Sequence, residues 1–297
     1  MKKNLIIIFA LIILVFIGYN GATFAQPGGQ RTNGKMIYHN GPVLTGGRNL
    51  YYIFYGCWGM PECGNMGDNA TMTLLTDFAI SIGGSPYMQI NSTYPDSAGQ
   101  APTGYFIFGG LLVDNSYSRG VELTRADVVD LISEKVNNFQ LPQDRNGIYV
   151  ILTSSDISAN DMGFCATGAP PFHSTGLVNG SPVIYTFIGN ARRCPTTAGA
   201  AFFGPGGTGF TTPNGTFSGD AMAANLAHSL NGTLTNPQGN GWYDRYGLEN
   251  ADKCAGSIGT TYTTANGATA NVHLAGRDYL FEQNWVNDRK GRCALSR

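Results

Sequence analysis

The spacing of hydrophobic residues along the chain follows two patterns, one typical of helices and the other of buried strands. Apolar residues that recur every three or four positions predict helices within residues 69–82, 124–139 and 221–235. Uninterrupted β-branched and aromatic runs predict strands within residues 49–55, 105–113, 147–153 and 182–188, and weak alternation predicts another at 87–94. Helices that alternate with buried strands indicate an α/β (α+β) fold, in which helices pack on a layered mixed sheet.

Polar residues and glycines mark the boundaries of the predicted helices. The N-cap candidates are Asp68 or Asn69 for the first helix, Thr124 with Asp127 for the second, and Asp220 or Ser218 for the third. The pair Gly83-Gly84 is expected to end the first helix, and Asn236-Pro237 prevents the third helix from continuing.

The composition is that of a loop-rich protein with few charges. Of 297 residues, 41 are glycine, 12% are charged, and the net charge is −1. This charge balance gives no electrostatic reason to expect nucleic acid or an acidic membrane as a partner. The length is ample for a buried core, and no linker, repeat or charge run divides the chain. We therefore expect one domain over residues 38–297, preceded by a disordered segment at 26–37.

The N-terminus has the layout of an export signal. Lys2 and Lys3 precede an apolar run over residues 5–17, and small residues up to Ala25 offer a cleavage site. Residues 1–25 are therefore predicted to be a signal peptide, which implies a secreted, extracellular protein without membrane attachment after cleavage. The alternative is an uncleaved membrane anchor, which the short apolar run disfavours.

The six cysteines all lie in the predicted mature chain, and an even number predicts disulfides in an exported protein. Cys57 and Cys63 enclose a short turn and are the easiest to pair. Cys165 with Cys194, and Cys254 with Cys293, would join long loops to the core and give a disulfide-stapled fold. Other connectivities stay open at this point. No Cys-x-x-Cys spacing occurs, so a cysteine metal site is disfavoured.

The third predicted helix and the turn after it resemble the active-site helix of a zinc peptidase. Such enzymes use His-Glu-x-x-His, where two histidines on one helix face bind zinc and the glutamate acts as the base. Residues 228–232 are HSLNG, so Ser229 replaces the base and Gly232 replaces the second ligand. The resemblance implies a zincin-like fold that has lost its chemistry, with no cofactor. If a metal such as zinc or calcium does bind, the candidate ligands are His228, Glu249 and Asp252.

Three other patterns in the sequence give weaker indications of function. Ser154 and Asp156 with His173 suggest a Ser-His-Asp set, but no glycines of a nucleophile elbow surround Ser154. The glycine-rich residues 204–209 lack the lysine of a phosphate loop and predict a flexible surface loop. Loop aromatics such as Trp58 would favour a carbohydrate-binding surface if exposed. The candidate ligand-contact residues are Trp242, Asp244 and His173.

Short motifs in matching order along nearly the whole mature chain resemble the plant EXORDIUM, or phosphate-induced protein 1, family. They are YHNGPVL and NLY near the start, NSYSRG, ILTSSD, GFC and FHS in the middle, and NLA, GTLTNP, GNG, GRDYL and a final cysteine toward the end. The resemblance implies a protein of the cell wall or extracellular space without established catalytic activity. Because the apolar leader is of a bacterial type, the growth role of plant members is not carried over to this chain.

Three functions from different classes follow from these patterns. The main expectation is a secreted, non-catalytic EXORDIUM-like protein, a pseudoenzyme whose partners are cell-wall polysaccharide or surface proteins. The alternatives are a metal-dependent hydrolase that uses His228, Glu249 and Asp252, and a carbohydrate-binding surface protein. The missing base at Ser229 favours the first function over the second. On this view, His228→Ala is expected to change stability only slightly.

Overall fold

A computed structural model describes residues 34–166, 171–195, 197 and 211–297. Residues 1–33, with the predicted signal peptide, and the glycine-rich residues 204–209 lie outside the described residues.

The helices are α1 (Asn69–Ser81), α2 (Arg125–Asn137) and α3 (Phe217–Thr235). Within the described ranges no helix is both long and apolar enough to cross a membrane. The strands are β1 (Ile37–Tyr38), β2 (Gly46–Tyr55), β3 (Pro102–Asp114), β4 (Gly147–Thr153), β5 (Phe172–Val178), β6 (Ser181–Ile188), β7 (Trp242–Tyr243), β8 (Tyr262–Thr263), β9 (Thr269–Ala270), β10 (Val272–Leu274), β11 (Arg277–Tyr279), β12 (Asn284–Val286) and β13 (Arg292–Ala294).

Five of these strands form a mixed sheet in the order β3-β2-β4-β6-β5. Strands β2, β3, β4 and β6 are parallel, and β5 is antiparallel to β6 at one edge. Parallel strands covered on both faces need apolar side chains on both, and every residue of β4 (GIYVILT) is buried. Asn179 and Gly180, both with positive φ, form the two-residue turn between β5 and β6. The predicted α/β class with a mixed sheet is confirmed.

Each face of the sheet has its own apolar core, because successive side chains of a strand point to opposite faces. In β2, Tyr52 and Phe54 belong to the core that contains α1 and α3, whereas Ile53 and Tyr55 belong to the core that contains α2. Helix α3 is enclosed almost completely, and of its 19 residues only Asn225 and His228 keep appreciable exposure. A helix buried on all sides explains why α3 is rich in alanine and other small residues.

The predicted caps of α1 and α2 are present. The Asp68 carboxylate accepts a 2.7 Å hydrogen bond from the N–H of Thr71 at the start of α1. Thr124 and Asp127 exchange the two hydrogen bonds of a capping box at the start of α2. Both helices therefore begin where short polar side chains satisfy the free N–H groups of the first turn.

The N-cap of α3 differs from the prediction. Thr216 has extended backbone angles, and its hydroxyl accepts a hydrogen bond from the N–H of Gly219. The expected caps, Ser218 and Asp220, lie inside the first turn of the helix instead. The Asp220 carboxylate accepts hydrogen bonds from Asn214, so this side chain is fixed to the preceding turn. Three neighbouring residues were eligible caps by type, and only the backbone conformation selects among them.

The strand predicted at residues 87–94 is wrong, since Met88–Thr93 is a 3₁₀ helix. The side chains of Asn91, Ser92 and Thr93 each donate to the backbone carbonyl three residues earlier, at 3.0, 2.7 and 2.8 Å. Such local bonds offer the backbone a turn in place of a strand ladder. The apolar residues that suggested a strand include Tyr87 and Tyr94, which are buried and hold the two ends of the segment in the core.

Three disulfides join the pairs expected from the sequence, Cys57–Cys63, Cys165–Cys194 and Cys254–Cys293. The first closes the turn between β2 and α1, and the second links the segment before β5 to the segment after β6. The third joins the short 3₁₀ helix Asp252–Cys254 to β13. The C-terminal hairpin β12–β13 is therefore bonded covalently to the turn region that follows α3.

Phe139, just after α2, has an unfavourable backbone conformation. Its φ is 57°, in the left-handed region, and its side chain is 96% exposed, so no burial compensates. Glycine adopts this conformation without steric cost. We expect Phe139→Gly to raise the free energy of unfolding by about 1 kcal/mol, measured by urea denaturation. Phe139→Ala keeps the Cβ atom and is the control, with an expected change within about 0.5 kcal/mol. A less stable glycine variant would contradict this explanation.

Candidate functional site

His228, in the middle of α3, lies between two carboxylates from later parts of the chain. Its Nε2 is 3.0 Å from Asp252 Oδ1, and its Nδ1 is 2.9 Å from Glu282 Oε2. Asp252 belongs to the 3₁₀ helix that the disulfide to Cys293 holds in place, and Glu282 precedes β12. None of the three side chains is more than 16% exposed. The three residues form a largely buried cluster, here called the His228 cluster.

The charges of the His228 cluster follow from its contacts. Burial by itself lowers the pKa of His228, but the hydrogen bonds and charges of Asp252 and Glu282 outweigh burial and raise it to about 10. Burial alone would raise the pKa of Asp252, yet the hydrogen bond and charge of His228 lower it. A ring nitrogen bonds a carboxylate by donating a proton, so two carboxylate partners require the doubly protonated imidazolium. That ring has no free lone pair for a metal ion.

Glu249 lies beside the same helix, next to Gly232. Its Oε1 accepts a 2.6 Å hydrogen bond from Asn236 Nδ2 and lies 3.5 Å from His173 Nε2. Its Oε2 lies 2.1 Å from the point that a Cβ atom on Gly232 would occupy. Burial raises the pKa of Glu249. The absent side chain of Gly232 therefore provides the space that this carboxylate fills.

Ser229 and Gly232, the positions that resemble the base and the second ligand of a zinc peptidase, have packing roles here. The buried Ser229 hydroxyl is hydrogen-bonded to the Thr186 hydroxyl of β6. Of the three metal candidates, His228 and Asp252 are in contact, but the Glu249 side chain bonds elsewhere. In the part of the chain that the structure describes, no three or more His, Cys, Asp or Glu side chains are arranged to hold a metal ion.

The candidate ligand-contact residues are spread over three environments. Trp242 is half-buried, with its ring 5.3 Å from that of Tyr38 and its Nε1 donating to a backbone carbonyl. Asp244 is fully buried and lies 3.3 Å from the Lys253 ammonium. His173 belongs to the Glu249 pair already described. Trp58 is 1% exposed and packs in the core beneath α1 and α3, so its ring is not available to a sugar.

Of the Ser-His-Asp set suggested by the sequence, Ser154 and Asp156 are hydrogen-bonded to each other, but His173 bonds to a different part of the chain. Ser154 is buried at the carboxyl end of β4, where its hydroxyl donates to Asp156 and accepts from the N–H of Cys57. His173 lies at the start of β5 and contacts Asn236 instead. Ser154 thus ties the loop after β4 to the loop after β2, which is a structural role.

Sequence reasoning missed Glu282 and a group of buried amides. Glu282 is 54 residues from His228, in a segment without a recognisable motif. Asn91 donates to the Asn231 side chain at 2.7 Å, and Asn250 donates to Asn91 at 2.9 Å. These bonds join the 3₁₀ helix Met88–Thr93, α3 and the turn that contains Glu249. The available signal was Asn231 itself, whose amide lies in the predicted helix one turn after Ala227, because a buried amide needs hydrogen-bond partners.

Gly232→Ala is expected to lower the free energy of unfolding by about 1–3 kcal/mol, because the new methyl group collides with Glu249 Oε2. Urea denaturation measures the effect. In a Glu249→Ala background the collision disappears and alanine is the better helix former by about 1 kcal/mol. The same substitution should then cost less than half as much, with a small remainder from His173 Cε1 at 2.9 Å. An equal cost in both backgrounds would show that Glu249 does not fill the site.

Comparison with known proteins covers nearly the whole described chain. The sequence profile of the phosphate-induced protein 1 conserved region matches residues 36–290. Protein EXORDIUM-like 3 of Arabidopsis thaliana is 30% identical over 280 residues, which cover 84% of this chain and 80% of that protein. Protein EXORDIUM of the same plant is 29% identical over 244 residues, with 75% and 74% covered. Protein PHOSPHATE-INDUCED 1 of Nicotiana tabacum is 26% identical over 283 residues, with 84% of each covered.

No solved structure matches the chain. The matched residues 36–290 include the whole His228 cluster, the Glu249 pair and the helix that carries both. A profile match of this extent, with a relative 30% identical over most of both chains, is sufficient to assign the family. The chain belongs to the EXORDIUM, or phosphate-induced protein 1, family.

Proposed function

We propose that the protein is secreted and acts outside the cell as a non-catalytic EXORDIUM-like protein. The observation behind this proposal is the state of His228, whose two ring nitrogens both face carboxylates. A metal peptidase needs a neutral imidazole with a free lone pair, a second ligand and a base. Here the imidazole is a structural cation, the second-ligand position is Gly232, and the base position is Ser229. The only histidine of α3 is therefore used to hold the C-terminal segments against the helix.

We also propose that the scaffold is related to that of zinc peptidases. Two features support the relation. The turn after α3 keeps the Gly-Trp-Tyr-Asp and Glu-x-x-Asp-x-Cys patterns of such enzymes. In addition, Gly232 of α3 lies beside His173 at the start of β5, the antiparallel edge strand, where His173 contacts Glu249. On this proposal, Glu249 and Glu282 occupy the volume in which a metal and its water would lie.

Secretion is supported by the charged and apolar leader and by the disulfides. Three disulfides with no free cysteine are typical of proteins from oxidising compartments. Partners outside the cell are proposed to be cell-wall polysaccharides or surface proteins.

The test combines metal analysis with a hydrolysis assay on protein recovered from the culture medium. Mass spectrometry should give an N-terminus near Gln26, and full-length protein in the membrane fraction would contradict secretion. Zinc should be well below one equivalent per chain, and casein should remain uncleaved. Stoichiometric zinc together with cleavage, both abolished in His228→Ala, would overturn the non-catalytic proposal. Zinc without cleavage would overturn the structural role given to the His228 imidazolium.

A further inference from the structure

A polar cleft lies between the first two turns of α1, the turn before α3 and the hairpin β10–β11. Its volume is about 240 Å³. At about 30 Å³ for each molecule of liquid water, this space corresponds to roughly eight waters, which suits one small ring but no longer ligand. Two amides, two hydroxyls and a guanidinium line the space, here called the α1–α3 cleft. They belong to Asn69, Asn214, Thr73, Thr216 and Arg277.

Two of these residues are fixed by bonds that hold the walls of the cleft together. The Thr216 hydroxyl lies 2.9 Å from the Thr71 hydroxyl of α1, and it also caps α3. Asn214 Nδ2 donates to Asp220 Oδ1 at 2.7 Å and to the Asp278 carbonyl at 2.6 Å. The second of these bonds attaches the hairpin β10–β11 to the turn before α3. The cleft is therefore preformed, and a ligand does not have to order its walls on binding.

The other polar groups of the cleft keep hydrogen-bonding capacity. Asn69 and Thr73 are exposed and lie one turn apart on α1, and neither side chain is hydrogen-bonded to a residue that the structure describes. Arg277 donates from Nε and Nη2 to Asp77 Oδ2, at 3.0 and 2.7 Å, and its Nη1 has no partner among the described residues. Amides and hydroxyls both donate and accept. These groups therefore match a ligand with several hydroxyl groups.

The charges around the cleft disfavour an ionic ligand. Arg277 forms an ion pair with Asp77, so its positive charge is already balanced. An anion would compete with Asp77 for this cation and would lie near Asp68, whose carboxylate caps α1. A metal ion would lack ligands, since the lining side chains include no carboxylate, imidazole or thiolate. The ligand that fits the cleft is therefore uncharged.

An aliphatic surface completes the lining. Ala70 and Leu74 also lie one turn apart on α1, next to the row that contains Asn69 and Thr73. A ligand site needs such apolar contacts together with a few polar groups that fix the orientation of the ligand. A sugar ring combines both properties, because its hydroxyls lie at the edge of the ring and its C–H groups form apolar patches.

We propose that the α1–α3 cleft binds one neutral sugar unit of a polysaccharide. This inference rests on the proposed extracellular function, which includes cell-wall polysaccharides among the partners, and it specifies the site and the ligand class. Asn69, Thr73 and Arg277 bond the hydroxyls, while Ala70 and Leu74 contact the C–H groups. Recognition of one unit without a stacked aromatic ring makes binding weak, with a dissociation constant on the order of 1 mM. The His228 cluster is about three turns further along α3 and takes no part.

The test titrates the mature chain with cellotetraose, maltotetraose and mannotetraose and follows binding by saturation-transfer NMR. We expect at least one of these neutral oligosaccharides to bind, with an affinity that salt does not change, because no charge is involved. Asn69→Ala/Thr73→Ala should weaken binding about tenfold, about threefold for each hydrogen bond removed. Ala70→Phe places a ring in the cleft and should abolish binding. Both variants change exposed positions, so their melting temperatures should equal that of the wild type.

The matched control is Ser133→Ala/Asn137→Ala, which removes a hydroxyl and an amide at the same spacing on α2, outside the cleft. Binding should be unchanged in this control. Four outcomes would overturn the proposal: no binding of the three oligosaccharides, tighter binding of trigalacturonate, no effect of either cleft variant, or an equal effect of the control. Tighter binding of trigalacturonate would mean that the cleft is an anion site.

Metal content and casein cleavage are measured on the same preparation, so that the two proposals fail separately. Absence of sugar binding in a secreted, zinc-free and inert protein would refute this inference alone. Zinc-dependent cleavage of casein would refute the proposed function instead.

Discussion

Reduction of the three disulfides is expected to unfold the protein at room temperature. Cross-links stabilise mainly by restricting the unfolded chain, and their effect grows with the length of the loop they close. The Cys57–Cys63 bond has a sequence separation of 6 and is worth about 2 kcal/mol. The separations of 29 and 39 residues give about 4 kcal/mol for each of the other two. Together these contributions approach the whole stability of a typical domain, roughly 5–15 kcal/mol.

Circular dichroism with and without a phosphine reductant measures this effect, with quantitation of free thiols to verify reduction. Paired cysteine-to-alanine variants give a graded control. Removal of Cys254–Cys293 or Cys165–Cys194 should lower the melting temperature more than removal of Cys57–Cys63. A fully reduced protein that keeps its melting temperature would show that packing alone sustains the fold.

The arrangement of helices on a mixed sheet could be predicted from the sequence because its signals are strong and local. β4 is apolar up to Thr153, as a strand covered on both faces must be, and α2 has its complete capping box. The disulfide pairs could also be predicted, because each joins two cysteines that are consecutive among the six in the sequence. Strand order and register could not be predicted, because they depend on contacts between segments that are distant in sequence.

The errors occurred where local bonding outweighs periodicity. Residues 88–93 have enough apolar character to suggest a strand, yet Asn91, Ser92 and Thr93 bond to the backbone and form a 3₁₀ helix. The cap of α3 was placed two or four residues late, at Ser218 or Asp220, because these residues and Thr216 are all acceptable by residue type. In both cases several polar residues compete, and tertiary packing decides among them.

The candidate site shows a similar division between what is local and what is distant. The sequence singled out His228 as the central residue and Ser229 and Gly232 as the positions that lack zinc-peptidase chemistry. It did not indicate that Glu282 faces His228 or that His173 lies beside Glu249, since these partners come from other elements. The tertiary partners also change the expected role of His228, from a residue whose replacement should change stability only slightly to a charged bridge between two carboxylates.

His228→Ala is expected to lower the free energy of unfolding by about 3–5 kcal/mol, in contrast to the slight effect expected from the sequence. The substitution leaves the Asp252 and Glu282 carboxylates buried, without their common cation. Urea denaturation near pH 6 measures the loss. The matched control adds Asp252→Asn and Glu282→Gln to His228→Ala, which removes the unpaired charges and should recover much of the stability. A loss equal to that of the single variant would mean that lost packing, not charge, is responsible.

The pH dependence of this loss tests the imidazolium directly. The folded pKa of His228, about 10, lies above its ordinary value of 6.5, so its contribution is fully present below pH 6.5 and is lost as pH rises through 10. Between these values the stability difference between wild type and His228→Ala should shrink by about 1.4 kcal/mol per pH unit. On the acid side, the lowered pKa of Asp252 adds stability that disappears as the pH falls below about 4. A stability difference that stays constant from pH 6 to 10 would mean that the folded ring is neutral. His228 would then have a free lone pair with which to bind a metal ion.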